Sequence, residues 1–392
     1  MRRPTLNYLK TESGSGLILA LAAALAVLIA NSVEAPRYAA FVSWPITLQG
    51  GPFAATLSLG EWVKSGLMAV FFLVVGMQIK FEVLRGELSS PRRLAVPAMA
   101  ALGGLVAPAA VFLACNLGPG GFPGAWPIPT ATDIALALAM LALAGPRLPP
   151  SLRVFLLTVA LADDLGGVGL VAALYSRSVN WEMLGGAALA LALLVGLSRW
   201  RRAPFLFYAA GFVVVWAFTL KSGVSTSAAG IACAMTVPVG ARRTGQDSVL
   251  KYFMDSLHPY VAFAVLPLFV FTAAGVSLRD LSAHDVTAAV PLGVALGLWL
   301  GKPIGVFGFA ALGVVLRFGR RPSGASWAEL LGVAMLCGIG LTMSLFVGAL
   351  AVGAAQPHLA GVRLGVVAGS LLSGLIGLAL LRWADQRRAA EG

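Results

Sequence analysis

Apolar residues run almost unbroken for about twenty positions at a time along this chain, and polar residues gather in short clusters between those runs. Twelve runs are long enough to read as membrane-crossing helices, roughly one per 20 apolar residues. They lie near residues 14–33, 62–81, 94–116, 127–145, 152–175, 183–198, 204–220, 223–240, 258–278, 287–316, 328–352 and 361–381. A membrane β-barrel would alternate apolar and polar residues instead. One connecting segment does alternate in part. Residues 44–59 contain Gly50-Gly51 between the β-prone stretches Ile46-Thr47-Leu48 and Phe53 to Leu59. This pattern predicts a short β-hairpin, with Pro52 favouring an exposed edge.

Composition agrees with that reading. Of the 392 residues, 59% are hydrophobic and only 11% charged, far from the balance of a soluble domain. The 46 glycines suit helices that approach closely in lipid. Cys115, Cys233 and Cys337 are too scattered for a disulfide framework or a metal site. Met1-Arg2-Arg3 is not followed by a cleavage site of the signal-peptide kind.

A net charge of +12 raises the question of nucleic acid. The placement of the basic residues argues against it, because they punctuate apolar runs. With the N-terminus inside, 21 of the 28 basic residues fall on the cytoplasmic side. Arg37, Arg177, Lys221, Arg279 and Arg363 fall outside, and Lys64 and Lys302 lie within spans. That asymmetry predicts twelve helices with both termini cytoplasmic.

Thirteen of the sixteen acids fit loops or span ends, whereas Asp133, Asp163 and Asp164 do not. Asp163 and Asp164 lie halfway along the fifth span, and Lys302 lies near the middle of the tenth. A charge at the centre of a spanning helix costs at least ~2.5–3.5 kcal/mol, so such residues face the interior and find partners. An ion pair explains one acid and one lysine and leaves two acids over. Adjacent helical residues point about 100° apart. One aspartate therefore meets Lys302 while the other faces a cavity, and such a coupled pair can trade protons for a cation.

Two spans are interrupted. Pro127 and Pro129 forbid a regular helix before Asp133, and the apolar stretch 134–144 that follows is about 16 Å long, half a bilayer core. Thr130 or Thr132 is expected to cap this half-helix, with Asp133 in its first turn. In the eleventh span, Gly338 and Gly340 interrupt the helix in the same way. Paired breaks in corresponding places point to a transporter binding site built on repeats, here spans 3–5 and 10–12. Helix order and the two breaks are the grounds for the repeat. If the broken helices cross, Asp133 neutralises their paired N-termini. Lys302 then either balances the negative ends or pairs with Asp163.

Ala131-Thr132-Asp133-Ile134-Ala135, Ala162-Asp163-Asp164-Leu165-Gly166 and Gly301-Lys302-Pro303 resemble the NhaA family of sodium/proton antiporters. So do residues 66–76, Leu257-His258-Pro259, Leu266-Pro267-Leu268-Phe269 and Cys337 to Ser344. The likeness runs through nearly the whole chain, and this family is itself a known instance of inverted repeats with broken helices. The resemblance implies an all-α integral membrane protein, a single polytopic transporter domain over 1–392. It implies electrogenic exchange of Na⁺ or Li⁺ for a larger number of protons, with no cofactor and no enzymatic activity. Asp164 would carry the ion and the protons beside Asp163, Lys302 would partner Asp163, and Thr132 and Asp133 would line the site. It further implies a bacterial inner membrane, roles in salt tolerance and pH homeostasis, and a homodimer joined through the hairpin at 44–59.

The chain departs from familiar members at Ser65, Gln78, Phe81 and Ser225, positions associated with pH response, while Glu82 is retained. His258 opens the ninth span and either senses pH or caps the interface beside Pro259. His284 and His358 are expected in solvent, and Trp44, Trp62, Trp126, Trp181, Trp200, Trp327 and Trp383 form an interfacial belt. Gly166-Gly167-Val168-Gly169 lies within a membrane helix and is no phosphate loop.

Sodium and protons would compete for one midplane site under alternating access, which yields obligatory exchange. The alternative is a sodium-coupled organic-anion symporter of similar fold, against which Lys302 speaks. An intramembrane aspartyl protease needs its two aspartates on separate helices, and a passive channel would conduct without proton coupling.

Overall fold

The computed structural model describes residues 12–50, 53–86, 91–174, 179–199, 204–240, 248–279, 283–353 and 356–391. The expected turn at Gly51-Pro52, Trp200, and several basic clusters, including Arg2-Arg3 and Arg242-Arg243, lie outside those residues.

The described chain is mostly helical. In order it forms α1 (Glu12–Ala30), α2 (Ala35–Val42), strands β1 (Pro45–Gly50) and β2 (Phe53–Ser58), α3 (Leu59–Arg85) and α4 (Pro91–Asn116). Then come α5 (Ile134–Ala144), α6 (Pro150–Leu174), α7 (Trp181–Ser198), α8 (Phe205–Ser222), α9 (Thr226–Thr236) and α10 (Val249–Ala273). The last are α11 (Ala289–Val315), α12 (Trp327–Cys337), α13 (Leu341–Ala351) and α14 (Gln356–Glu391). Seven helices among the described residues are long and apolar enough to cross a membrane, which makes this a multi-pass membrane protein. Three further helix pairs are sharply bent at short breaks: α1 to α2 by 119°, residues 123–130 to α5 by 41°, and α12 to α13 by 40°.

Two compact units emerge. The first is built from Met1–Glu34, Ser90–Gly167 and Ala273–Gly392, and so holds α1, α4, both interrupted helices, α11, α14 and most of α6. Its helices are tightly meshed. A Cβ on Gly305 of α11 would lie 2.0 Å from the carbonyl oxygen of Gly103 on α4, so these two helices meet backbone to backbone. Leucines 17, 21, 25 and 28 of α1 point away from this core and are exposed, as lipid-facing residues must be.

The second unit is built from Ala35–Ser89 and Val168–Thr272. It contains the expected hairpin: β1 and β2 pair antiparallel from Pro45 opposite Ser58 to Gly50 opposite Phe53. Ser58 then caps α3 in a capping box with Glu61. Gly223, at φ 79°, ends α8 in the left-handed conformation that glycine tolerates.

Some boundaries differ from the hydropathy reading. α10 starts at Val249, so His258 lies inside a helix and is exposed, because Ser248 caps an amphipathic first segment. α14 extends to Glu391, and His358 lies in it, half-buried, with its ring stacked on Phe122 at 5.3 Å between ring centres.

Candidate functional site

The two breaks lie against each other within the first unit. The stretch before α5 ends in the 3₁₀ turn Ile128–Thr130, where Pro127 and Pro129 withhold backbone donors. Residues 131–133 are then extended. Residues 338–340 separate α12 from α13. The N–H of Asp133 donates to the carbonyl of Ile339 at 2.6 Å, which ties one break to the other. Glycine is required at this crossing: a Cβ on Gly338 would stand 2.2 Å from Ser373 Oγ and 2.3 Å from the Leu298 carbonyl oxygen.

Asp133 is itself the N-cap of α5, not a first-turn residue as expected. Its Oδ1 accepts the N–H of Leu136 at 3.1 Å, and its Oδ2 accepts the N–H of Thr342 at 3.1 Å in the first turn of α13. One carboxylate thus faces two helix N-termini, each carrying about +0.5 charge. The threonines are drawn elsewhere. Thr130 Oγ1 donates to the Pro127 carbonyl, and Thr132 Oγ1 lies 3.0 Å from Asp163 Oδ2 and 2.9 Å from the Cys337 carbonyl. A hydroxyl has one proton, so Thr132 shares it between those two acceptors.

α6 brings Asp163 and Asp164 to the same region, both essentially without solvent exposure. Lys302, on α11, is fully buried and stands 2.5 Å from Asp163 Oδ2. It also donates to the carbonyl oxygen of Thr130. The two partners left open by the sequence are therefore engaged together: a carboxylate and the negative end of a broken helix. A π-helical turn at Gly297–Gly301 precedes Lys302 immediately. Such turns insert a residue and re-aim the side chains beyond them.

Charge in this cluster does not balance. Asp133 has two helix ends and Asp163 has Lys302, while Asp164 Oδ1 has no hydrogen-bond partner. Asp163 Oδ1 and Ser344 Oγ, on α13, are likewise buried and unpartnered. A bare carboxylate in a dry interior is strongly destabilised. Chemically, the cluster needs either protons or an oxygen-seeking cation.

Several functional contacts had no sequence signal. The Thr130 and Cys337 carbonyls are backbone groups, and Ser370, which accepts the N–H of Gly340 at 3.1 Å, reads as an ordinary small helix residue. Glu329 and Asp385, two of the thirteen acids that fit loops or span ends, likewise gave no sign of their partners. Buried Glu329 accepts Arg388 Nε and Nη2, and Asp385 accepts the Arg147 N–H at 2.8 Å. These pairings of α12 and of the turn at Arg147 with α14 are legible only once α14 is seen to run long.

The residues weighed for pH response lie in the second unit. Glu82 and Gln78 are half-buried on α3, as is Phe81, and Ser225 Oγ is 2.7 Å from Ser227 Oγ at the start of α9. Ser65 donates to the Glu61 carbonyl.

The profile of the family described as Na⁺/H⁺ antiporter 1 matches residues 6–381. The chain is 45% identical to the Na⁺/H⁺ antiporter NhaA of Rhodospirillum rubrum, with 98% of each chain covered. It is 42% identical to the NhaA of Pseudomonas putida strain GB-1 over 99% of each, and 46% identical to that of Paramagnetospirillum magneticum over 96% of each.

Proposed function

The chain belongs to the Na⁺/H⁺ antiporter 1 family, and from that premise we propose that it exports Na⁺ or Li⁺ in exchange for a larger number of protons, carried at Asp164. It is a sodium/proton antiporter. The observation that carries the site assignment is the uncompensated buried carboxylate of Asp164 beside an Asp163 already committed to Lys302.

In this reading Asp164 takes a sodium ion together with oxygens from Asp163, Thr132 and the nearby backbone. A hard cation prefers such ligands, and the ion is cargo, not a resident cofactor. Protons replace it on the carboxylates at the other face. Either load neutralises the cluster, while the empty, charged form is too costly to pass through the membrane interior. That cost couples the two fluxes. Lys302 and Asp133 hold the geometry by balancing fixed charges that the cycle leaves in place. Pro127, Pro129, Gly338 and Gly340 keep the two helices broken.

The finer architecture belongs to the same proposal. The seven long helices, the three bent pairs, α6 and α9 make twelve spans, with α4–α6 and α11–α14 as inverted repeats. Both termini face the cytoplasm of a bacterium, on the charge asymmetry of the loops. The hairpin β1–β2 joins two copies into a dimer, and Glu82 and His258 contribute to pH response. The organic-anion symporter alternative has no support, since each relative named above is an antiporter.

The test is sodium-triggered proton efflux from proteoliposomes with an acidic lumen. Wild type is expected to alkalinise the lumen when NaCl is added outside, and Asp164→Asn, correctly inserted, to give no response. Retained sodium-dependent proton movement in Asp164→Asn would sink the assignment.

A further inference from the structure

Away from the carboxylates, the first unit holds an apolar cavity of about 470 Å³ between α1, α5, the break before α13, and α14. Its origin lies in side-chain size. α1 contributes Ala20, Ala23 and Ala24 to the wall, and Leu136 and Met140 of α5 form the facing side. The one polar side chain in the lining, Ser370, already accepts the N–H of Gly340. Water entering here finds almost no partners, and Leu28, Leu371 and Leu375 at its rim are exposed, so the cavity opens as a groove on the outer surface of the helices. Hydrocarbon is the solvent that fits.

Its position selects one kind of hydrocarbon. Val367, Leu371 and Leu375 line it along α14, and the same helical face continues to Arg382. From Val367 to Arg382 the helix rises about 22 Å at ~1.5 Å per residue. Half of a bilayer with its headgroups is about 20–22 Å. Arg382 Nε donates to the carbonyl of Leu143 at 3.5 Å, at the end of α5. The guanidinium therefore closes the groove between the same two helices that line it. Next to it Trp383 is exposed, with the Arg387 guanidinium 3.9 Å from its ring centre, as at a membrane–water interface. A planar guanidinium there suits a phosphate.

We propose that the cavity takes one acyl chain of an anionic phospholipid from the leaflet on the Arg382 side, with its phosphate on Arg382. The chain packs against Ile339, within the break of the second interrupted helix, and Leu341, the first residue after it. This inference does not rest on the ion-exchange reading.

The experiment uses the full chain in phosphatidylcholine vesicles containing phosphatidylglycerol with a photoreactive diazirine on its acyl chain. Adducts are mapped by mass spectrometry after irradiation. We expect adducts concentrated on Leu136, Met140 and Val367, severalfold above the exposed Leu189 and Leu193 of α7. Ala24→Phe, which fills the cavity, should abolish them. Arg382→Gln, an exposed change that leaves the cavity intact, should reduce them severalfold, and a diazirine phosphatidylcholine probe should label these sites as weakly. Even labelling of all lipid-facing helices, or labelling unchanged in Ala24→Phe, would overturn the cavity as a lipid site. Labelling unchanged in Arg382→Gln, or equal with the neutral probe, would overturn the anionic headgroup assignment.

Discussion

Lys302→Met is the most informative single perturbation of the charge cluster. Lys302 is fully buried, sits 2.5 Å from Asp163 Oδ2 and also holds the Thr130 carbonyl. Without the ammonium, Asp163 keeps only a share of the Thr132 hydroxyl, since its Oδ1 has no partner already. Removing one side of a buried ion pair destabilises by about 3–5 kcal/mol. The lower end of that range, ~3 kcal/mol, is the expected loss. Asp163→Asn strands the lysine instead and should cost about as much. The double variant leaves neither member of this pair charged, and its main deficit is the Thr130 carbonyl, about 1 kcal/mol. The two single losses should therefore exceed the double loss by at least ~3 kcal/mol. Unfolding of the purified protein in mixed micelles, titrated with sodium dodecyl sulfate, reads these differences. A coupling within about 0.5 kcal/mol of zero would refute the pairing.

Two further outcomes follow from contacts elsewhere. Glu329→Gln weakens the bidentate grip of Arg388 on the start of α12. Charged hydrogen bonds are worth about 1.5–3 kcal/mol, and with Arg388 one-third exposed a loss of about 1–2 kcal/mol is expected; an unchanged thermal unfolding midpoint would count against the clasp. Deleting residues 45–58 should convert the proposed dimer to a monomer in light scattering, and a persisting dimer would place the interface elsewhere.

The positions of the breaks were legible because they are local. Pro127, Pro129, Gly338 and Gly340 act on their own backbone, and Asp133, Asp163, Asp164 and Lys302 stand out as charges in apolar runs. Who faces whom was not legible in the residues themselves, although the family resemblance named Lys302 as the partner of Asp163. Asp163 and Asp164 differ by a 100° turn about one axis, and only the packing of α6 against its neighbours decides which one meets Lys302. The expected threonine cap of α5 failed for a similar reason. Asp133 accepts N–H groups from two helices at once, a gain invisible to a rule that considers one helix. Hydropathy also ended α14 where apolar residues stop, whereas Arg388 and Asp385 anchor its polar extension to Glu329 and Arg147.

The central claim is that sodium and protons compete for the Asp164 carboxylate. Proton release on adding NaCl to purified protein in weakly buffered detergent tests it without any membrane or gradient. The account predicts release from wild type that saturates with sodium and is absent in Asp164→Asn. Sodium binding by wild type without proton release, or equal release from Asp164→Asn, would contradict it.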